Sequence, residues 1–305
     1  MWAPKAAILG EELTSSRAPC PCAGLMTFAA GILAYFAITD YPETAKFLTA
    51  EEMEFIVWRL AIDKGAAGED KTLKKSQIWS AIRDPQVWLS VAYYFSVVTP
   101  LYGVSLFLPS IINSFGTFNR AQSQLLTVPV YAVACAWVLT SAVLSDRYKK
   151  RWLFVGIDQV LCFVGVLLNI TNPPSGVRYF GMFLFAMGAY AGLPATVTWL
   201  ANNLSGQTRR GVGSAMQIGI GNFGGLIASN VYRSRDAPHY TLGHAVEIGL
   251  VLQGLLFSAP AYAWWLRREN ARKRAQLELE AGKRTYTVAE LHELGDRAPE
   301  FVYTI

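Results

Sequence analysis

The chain has 305 residues, of which 52% are apolar and only 16% are charged, whereas a typical soluble domain carries about 25% charged residues. Its formal net charge is +5, and the basic residues lie beside long apolar runs. This arrangement is typical of a membrane protein oriented by its basic loops and argues against a nucleic-acid partner. Several uncharged runs of about 18 or more residues also argue against a soluble fold, which rarely buries so many apolar helices.

The first two elements in chain order are a leader and a short apolar helix. We predict that the leader, residues 1–22, is disordered. Its apolar part is too short for a signal peptide and is interrupted by Glu11 and Glu12. Residues 23–39 are just long enough to predict a single remnant transmembrane helix.

A polar segment, residues 40–85, then separates this helix from the longer apolar runs. Pro42 prevents the preceding helix from continuing, and Thr49 and Glu52 form the Ser/Thr-x-x-Glu pattern of a capping box. Apolar residues recur at helical spacing after that cap, at Met53, Ile56, Val57, Leu60 and Ala61. The pattern predicts an amphipathic helix, and it leaves open whether this helix lies against the ends of the spans or forms a soluble linker.

Residues 86–266 contain six apolar segments, each near the roughly 20 residues needed to cross a bilayer. We therefore predict an all-α membrane protein with a six-helix bundle. The predicted spans are about Val87–Ser110, Leu125–Leu144, Trp152–Thr171, Tyr179–Leu204, Val212–Tyr232 and Ala245–Leu266.

The distribution of basic residues predicts the orientation of these spans. The loops and tail on one side carry 21 Lys and Arg residues, whereas those on the other side carry four. Because basic loops stay in the cytoplasm, the basic side is expected to be cytoplasmic, and with it the C-terminus.

The charged tail, residues 267–305, alternates in sign over its first half, which predicts a solvated cytoplasmic helix. Contact of its basic residues with anionic lipid is a second interpretation, and a regulatory role is a third.

The segment "DYPETAKFLTAEE" closely resembles the central-loop signature of the fungal allantoate permease family, also called anion:cation symporters, within the major facilitator superfamily. Its nine fixed positions are Asp40, Pro42, Glu43, Ala45, Phe47, Leu48, Thr49, Glu51 and Glu52. The segments "WLANNLSGQTRRGVGSAMQIGIGNFGGLIAS" and "ELGDRAPEFVYTI" are similar to the same family. The resemblance implies that the chain corresponds to the C-terminal half of a twelve-helix carrier, from the sixth helix onward, and that the first five helices are missing.

The segment "SDRYKKR" resembles the superfamily's loop motif, in which an aspartate and basic residues form a latch that opens and closes as the two halves rock. Asp146 and Arg147 match the motif, and Lys150 and Arg151 fill its basic positions. Lys149 replaces a glycine of the motif. These four matching residues are predicted to act in gating, and positive charge that only sets the orientation is the alternative interpretation.

Two glycine-rich spans are the predicted transport path. The pairs Gly188/Gly192 and Gly221/Gly225 allow close helix packing. Buried polar groups in a bilayer are costly unless they meet a partner, water or a ligand. Together with the resemblance, this predicts the substrate-binding residues Tyr94, Thr99, Tyr102, Tyr190, Thr198, Trp199, Asn202, Gln217 and Asn222, with Asn203 beside them.

No charged residue or histidine lies near mid-depth in these spans. Asp158 falls on what resembles a peripheral helix, and Glu247 falls at the end of a span, so the sequence indicates no proton-coupling group. Cys20 and Cys22 have no matching ligand pair, and no nucleotide, metal or nucleophile motif is present. We therefore predict no enzyme activity, no metal and no cofactor.

The resemblance implies carriage of a small organic solute, an organic anion or vitamin-like carboxylate, by alternating access. The expected location is the plasma membrane. Proton co-transport and a complementary N-terminal half are further expected partners beside the solute and the lipid bilayer. The alternative hypothesis is a non-transporting fragment that acts as a structural or regulatory partner of another membrane chain.

Overall fold

The computed structural model describes residues 21–37, 48–63, 75–116, 119–171, 173–233, 236, 240–280, 296, 298–299 and 301–304. All regular elements in these ranges are helical, so the predicted all-α membrane fold is confirmed. The chain divides into two units, residues 1–65 and 66–305, which are described separately.

The first unit contains helices α1 (Pro21–Ala37) and α2 (Ala50–Asp63). Helix α1 has 17 residues, which is about 26 Å and slightly less than the roughly 30 Å of a hydrocarbon core. It begins two residues inside the predicted leader. Residues 1–20 of that leader and residues 38–47 of the loop signature lie outside the described residues.

Helix α2 begins as its sequence predicts. The Thr49 backbone N–H donates to Glu52 Oε2 at 3.0 Å, and the Glu52 N–H donates to Thr49 Oγ1 at 3.4 Å, so the capping box is confirmed. The Thr49 backbone N–H and the Thr49 hydroxyl, which donates to Glu52 Oε2 at 2.9 Å, both lower the pKa of Glu52. Met53 and Ile56 are half-buried, whereas Glu51 and Glu54 are exposed. The side chains of Val57, Leu60 and Ala61 lie outside the described residues.

The second unit begins with a helix that the sequence interpretation missed. Residues Lys75–Ile82 form α3 within the segment predicted as a polar loop. It packs on α9, defined below, and its Ala81 is fully buried, so tertiary contacts stabilise this short helix. The remaining helices are α4 (Pro85–Asn113), α5 (Arg120–Leu125), α6 (Thr127–Tyr148), α7 (Arg151–Ile170), α8 (Ser175–Asn202), α9 (Gln207–Gly221), α10 (Phe223–Val231), α11 (Thr241–Gln253) and α12 (Ala259–Glu280).

Five stretches of the described residues are long and apolar enough to cross a membrane, namely Pro85–Asn113, Arg120–Tyr148, Arg151–Ile170, Ser175–Asn203 and Thr241–Leu279. The last of these joins α11 to α12 through a π-helical segment, Gly254–Ser258. The predicted fifth span of the bundle differs, because Asn222 divides it into α9 and α10.

Helix α4 lies at the centre of the bundle and packs against α8, α9, α10, α11 and α12. Helices α7 and α8 form another close pair. A Cβ atom on Gly188 of α8 would lie 2.2 Å from the Asp158 carbonyl of α7, so only glycine permits this approach. The close packing predicted from the glycine spacing is therefore confirmed.

The tail is less solvated than predicted. Helix α12 continues without interruption past Arg267 to Glu280, as its alternating charges indicate. However, Asn270 and Lys273 on this helix are buried, as are Asp296 and Tyr303 further on. The last described residues pack against other parts of this unit at a separate site, described below.

Candidate functional site

Two hydrogen-bonded polar pairs lie on one face of α4. The Tyr102 hydroxyl donates to Asn222 Oδ1 at 3.4 Å, and the Ser105 and Tyr190 hydroxyls lie 2.7 Å apart. Residues 102 and 105 are three apart on α4 and therefore share a face. We call Tyr102–Asn222 and Ser105–Tyr190 the polar pairs. They link α4 to the α9–α10 junction and to α8 near the middle of each span.

The donors of these pairs can be assigned in part. Ser105 Oγ also donates to the Leu101 carbonyl at 2.7 Å, and with its single hydrogen used there, Tyr190 donates to Ser105. The ring of Tyr131 meets that of Tyr190 edge-on at 5.8 Å. Neither Ser105 nor Tyr131 was predicted. Ser105 lies one turn from Tyr102, and that spacing is the signal by which it could have been found.

Asn222 stands where the helix is interrupted. Its carbonyl accepts from the Gly225 N–H at 3.0 Å, which is an i to i+3 bond, and α10 begins at the next residue. Its side chain is exposed, and among the described residues its Nδ2 atom makes no hydrogen bond. The Asn222 amide therefore has two N–H donors available to a ligand.

Glycines on α9 and α10 hold this junction tightly against α4. A Cβ atom on Gly221 would lie 2.0 Å from the Tyr94 ring, and one on Gly224 would lie 2.5 Å from Thr99 Oγ1. Tyr94 and Thr99 are consequently buried at the helix contact. They were predicted to line a cavity, and the structure places them at this contact of α4 with the α9–α10 junction.

Gln217 is also a packing residue in this structure. It is fully buried, and its Nε2 donates to Ser90 Oγ at 2.7 Å and to the Thr196 carbonyl at 3.4 Å. It thereby joins α9 to α4 and α8. Its Oε1 has no partner among the described residues.

The predicted residues at the end of α8 are not near the polar pairs. Thr198 is exposed and donates to the Pro194 carbonyl, while Trp199 is fully buried and donates from Nε1 to the Thr304 carbonyl at 3.1 Å. Asn202, with its amide oxygen towards the guanidinium, accepts from Arg151 at 3.1 and 3.3 Å. The structure thus divides the predicted set, and Tyr102, Tyr190 and Asn222 remain together.

The predicted gating residues occupy the turn between α6 and α7. Arg151 Nη2 donates to Asp146 Oδ1 at 2.7 Å and also reaches Asn202, so it bridges the ends of α6 and α8. Arg147 and Lys150 are exposed. Lys149 has φ 54°, a left-handed conformation that glycine adopts most readily. The resembled motif has glycine at this position.

A buried ionic cluster lies at the opposite end of α4 from Asn113. Arg209 donates to Asp84 at 2.5 Å and to Asp296, and the Lys273 ammonium donates to the Asp296 carbonyl and to the Phe301 carbonyl at 3.1 Å. We call Asp84, Arg209, Lys273 and Asp296 the tail cluster. Asp84 also caps α4 by accepting from the Gln86 N–H at 3.0 Å. Burial raises the pKa of Asp296 to about 6, although Arg209 opposes the rise.

Two asparagines clamp the last described residues beside this cluster. Asn203 accepts from the Thr304 N–H at 2.7 Å and donates to the Thr304 carbonyl at 2.9 Å. Asn270 does the same for Tyr303, at 2.9 Å in both directions. The backbone of residues 303–304 is therefore bound by amides from α8 and α12. Asn203, predicted as part of the transport path, belongs to this clamp.

Sequence comparison finds a family match and several relatives that are named as transporters. Residues 6–229 match the family model of the Major Facilitator Superfamily. The chain is 34% identical over 231 residues to an uncharacterized transporter of Schizosaccharomyces pombe, covering 76% of this chain and 46% of that protein. It is 27% identical over 270 residues to the high-affinity nicotinic acid transporter of Saccharomyces cerevisiae, covering 88% and 49%.

An MFS-type transporter of Penicillium expansum is 27% identical over 294 residues, covering 92% of this chain and 56% of the relative. The chain spans about half the length of these curated relatives. The family match covers well over half of the chain and agrees with the bundle of apolar helices around α4. The chain therefore belongs to the Major Facilitator Superfamily.

Proposed function

We propose that the chain acts in secondary transport of a small organic carboxylate, as a member of the allantoate permease family. Its relatives are named as transporters, and one of them is named as a nicotinic acid transporter. These names favour transport over a purely structural or regulatory role. Nicotinate, the anion of nicotinic acid, is accordingly the substrate on which to begin.

The polar pairs are the observation that carries this proposal. One pair joins a hydroxyl to an amide and the other joins two hydroxyls, and both lie on one face of α4 at mid-span. The Asn222 amide also has unused N–H groups. A carboxylate accepts several hydrogen bonds, and the 3.4 Å contact between Tyr102 and Asn222 is long enough to be exchanged for a ligand at little cost. The aromatic rings of Tyr131 and Tyr190 add a surface on which a flat ring can stack.

The charge of the site fits an anion that travels with a proton. No Lys, Arg, Asp, Glu or His occurs between positions 87 and 112 of α4, between 179 and 202 of α8, or between 211 and 231 of α9 and α10. An unpaired carboxylate would be costly in such an environment. A carboxylate and a proton carried together are neutral, which is why we retain proton co-transport as part of the proposal.

We further propose that the turn between α6 and α7 takes part in gating. Asp146, Arg147, Lys150 and Arg151 form its charged set, and the Arg151 bridge between Asp146 and Asn202 is the contact that would break when helix ends separate. The excess of basic residues supports a cytoplasmic location for this turn and for the C-terminus. The plasma membrane remains the proposed location.

Alternating access requires a second bundle opposite the polar pairs. Asn222 and its neighbours Phe223 and Leu226, both 63% exposed, form the surface that such a bundle would cover. We propose that a complementary half, in the same polypeptide or in another chain, completes the solute path there.

The test is uptake of radiolabelled nicotinate, allantoate and pantothenate by cells that express the chain, compared with cells carrying an empty vector. Where the complementary half is also present, we expect nicotinate uptake that unlabelled nicotinate inhibits and unlabelled nicotinamide does not, because only the former has a carboxylate. Equal inhibition by nicotinamide would contradict carboxylate recognition. Absence of uptake of all three solutes, with the chain present in the membrane, would contradict transport by the chain alone.

A further inference from the structure

A buried cluster of three titratable side chains joins α10, α11 and α4. The Tyr232 hydroxyl donates to Glu247 Oε2 at 2.5 Å and lies 3.1 Å from His244 Nδ1. Glu247 and His244 are 2% and 0% exposed, and Tyr232 is 5% exposed. The sequence places Glu247 only at the end of a span, whereas the structure shows that it points into the protein.

Two polar atoms of this cluster have no partner. Glu247 Oε1 and His244 Nε2 make no hydrogen bond among the described residues, and the only basic side chain there within 4 Å of the Glu247 carboxyl is that of His244, at 3.9 Å. A buried carboxylate without a fixed cation is costly when ionised, so the cluster favours a state in which it holds a proton. Purely structural buried carboxylates are normally satisfied, as Asp158 is by Trp137 at 2.9 Å and Ser141 at 3.2 Å.

Within the described part of the chain, the groups around Glu247 offer no other charge to balance it. Tyr232 and Tyr240 approach from the ends of α10 and α11, Cys162 from α7, and α4 contributes Gly103 and the ring of Phe107 stacked on Tyr232. Asp158 lies beyond Cys162 on α7 and has donors of its own. The net charge of the cluster therefore depends on the protons that Glu247 and His244 hold.

Hydrogen-bond directions connect these two residues. Tyr232 uses its only hydrogen towards Glu247, so it can accept from the His244 Nδ1–H of the appropriate tautomer. The hydrogen bonds therefore run in one direction, from His244 as donor to Tyr232 and from Tyr232 as donor to Glu247. A proton that reaches His244 can pass along this order to Glu247 without any group leaving its position.

We propose that Glu247, Tyr232 and His244 form a proton-binding site that is coupled to movement of the solute. One proton from water on one side of the membrane binds the Glu247 carboxylate, and the same proton leaves to water on the other side. Only O–H and N–H bonds form and break, and no electron is transferred. This inference rests on the proposed transport function and adds the group that the solute path itself lacks.

Gly103 provides the physical link between this site and the polar pairs. A Cβ atom on Gly103 would lie 1.8 Å from Glu247 Oε1, so the carboxyl is pressed against the α4 turn that carries Tyr102 and Ser105. Ionisation of Glu247 would require new donors or water at this contact. Such a change would displace the turn that holds both polar pairs, which is how proton and solute could influence each other.

Infrared difference spectroscopy of the purified full chain tests the proton site without any substrate. Besides the band of Asp296, which Asp296→Asn removes, the unsubstituted chain should show a protonated-carboxyl band that disappears with rising pH, and Glu247→Gln should lack that second band. The matched control is Asp158→Asn, which removes another buried carboxyl and should leave the Glu247 band in place. An unchanged titrating band in Glu247→Gln would overturn the proposal.

Tyr232→Phe provides a second variant in case Glu247→Gln does not fold. It keeps the carboxyl and removes the O–H donor that favours the ionised form, so the protonated band should persist to a higher pH than in the unsubstituted chain. A band with unchanged position and unchanged pH dependence would contradict the site.

Transport in proteoliposomes tests the coupling separately. Two activities are compared: accumulation of labelled nicotinate with an inward proton gradient, and nicotinate exchange without a gradient. Glu247→Gln should reduce the accumulation at least about tenfold more than it reduces the exchange. Equal losses of both activities would refute coupling at this residue. If the unsubstituted chain does not exchange nicotinate, the proposed function fails for that substrate, and the infrared result still decides the proton site.

Discussion

The tail cluster and the polar pairs both connect α4 to neighbouring helices, but they do so with opposite chemistry. In the tail cluster, charged groups are buried and bonded to one another and to backbone carbonyls, and two asparagine clamps surround it. In the polar pairs, all groups are neutral, one contact is 3.4 Å long, and Asn222 is exposed with unused donors. The comparison indicates that the first region maintains the structure and that the second is available to a ligand.

Removing the cation of the tail cluster should have the largest effect. Arg209→Ala would leave Asp84 and Asp296 buried without their shared partner, and breaking a buried ion pair in this way costs about 3–5 kcal/mol. We expect a large fall in the thermal unfolding midpoint of the purified protein. The matched control is Arg210→Ala, because Arg210 is exposed and makes a single 3.3 Å bond to the Leu204 carbonyl. Equal midpoints for the two variants would remove the distinction between the regions.

The tail cluster should also respond to pH. The pKa of Asp296 rises from 3.8 to about 6 on burial, so between these values the folded form binds more protons than the unfolded chain. The free energy of unfolding should therefore fall as pH rises from about 4 to 6, by at most about 3 kcal/mol. Thermal unfolding across this range measures the effect. Asp296→Asn should make the free energy of unfolding less dependent on pH. An unaltered pH dependence in that variant would show that another group causes it.

Substitution at the contact between Gly221 and Tyr94, which holds the α9–α10 junction against α4, should have the next largest effect on stability. Gly221→Ala places a methyl group against the Tyr94 ring, and overpacking of this kind costs about 1–3 kcal/mol. The control is Gly219→Ala on the same helix, where a Cβ atom meets nothing within 4 Å. We expect only the first variant to lower the unfolding midpoint and to weaken transport. A similar tolerance of both substitutions would show that Tyr94 moves aside easily.

The polar pairs themselves should contribute least to stability and most selectively to binding. Asn222→Ala removes one or two neutral hydrogen bonds to a solute, each worth about 0.5–1.5 kcal/mol, so affinity for nicotinate should fall about two- to tenfold or more. The unfolding midpoint should hardly change. Asn230→Ala is the control, since Asn230 is also exposed on α10 but bonds to the Leu226 carbonyl. Unchanged transport kinetics in Asn222→Ala would remove Asn222 from the solute path.

The features that could be predicted from sequence depend on residues close together in the chain. The capping box joins Thr49 to Glu52, and the glycine spacing of α8 predicts close packing whatever the partner helix is. Asn222 was predicted to bind substrate because a polar group within an apolar span needs a partner, water or a ligand. The structure shows its side chain exposed at the break between α9 and α10.

The remaining features depend on contacts between distant residues. Thr304 lies 101 positions from Asn203, and nothing in a charged tail indicates which amide will bind its backbone. Glu247 could be assigned a depth from its position in a span, but not the face of the helix that carries it. Tyr94, Thr99 and Gln217 were placed in the solute path by residue type, although their burial is set by the glycines and the hydroxyls opposite them.

The clamped end of the chain has a practical consequence for experiments with this protein. Residues 303 and 304 are held through their backbone N–H and carbonyl groups, and the buried Tyr303 side chain also donates to the Asp296 carbonyl at 2.9 Å. An affinity tag or fluorescent protein fused directly after Ile305 would pull on Asn203, which follows α8, and on Asn270 in the middle of α12. A flexible spacer, or a tag at the other terminus, avoids mistaking a purification artefact for a defect in the solute path.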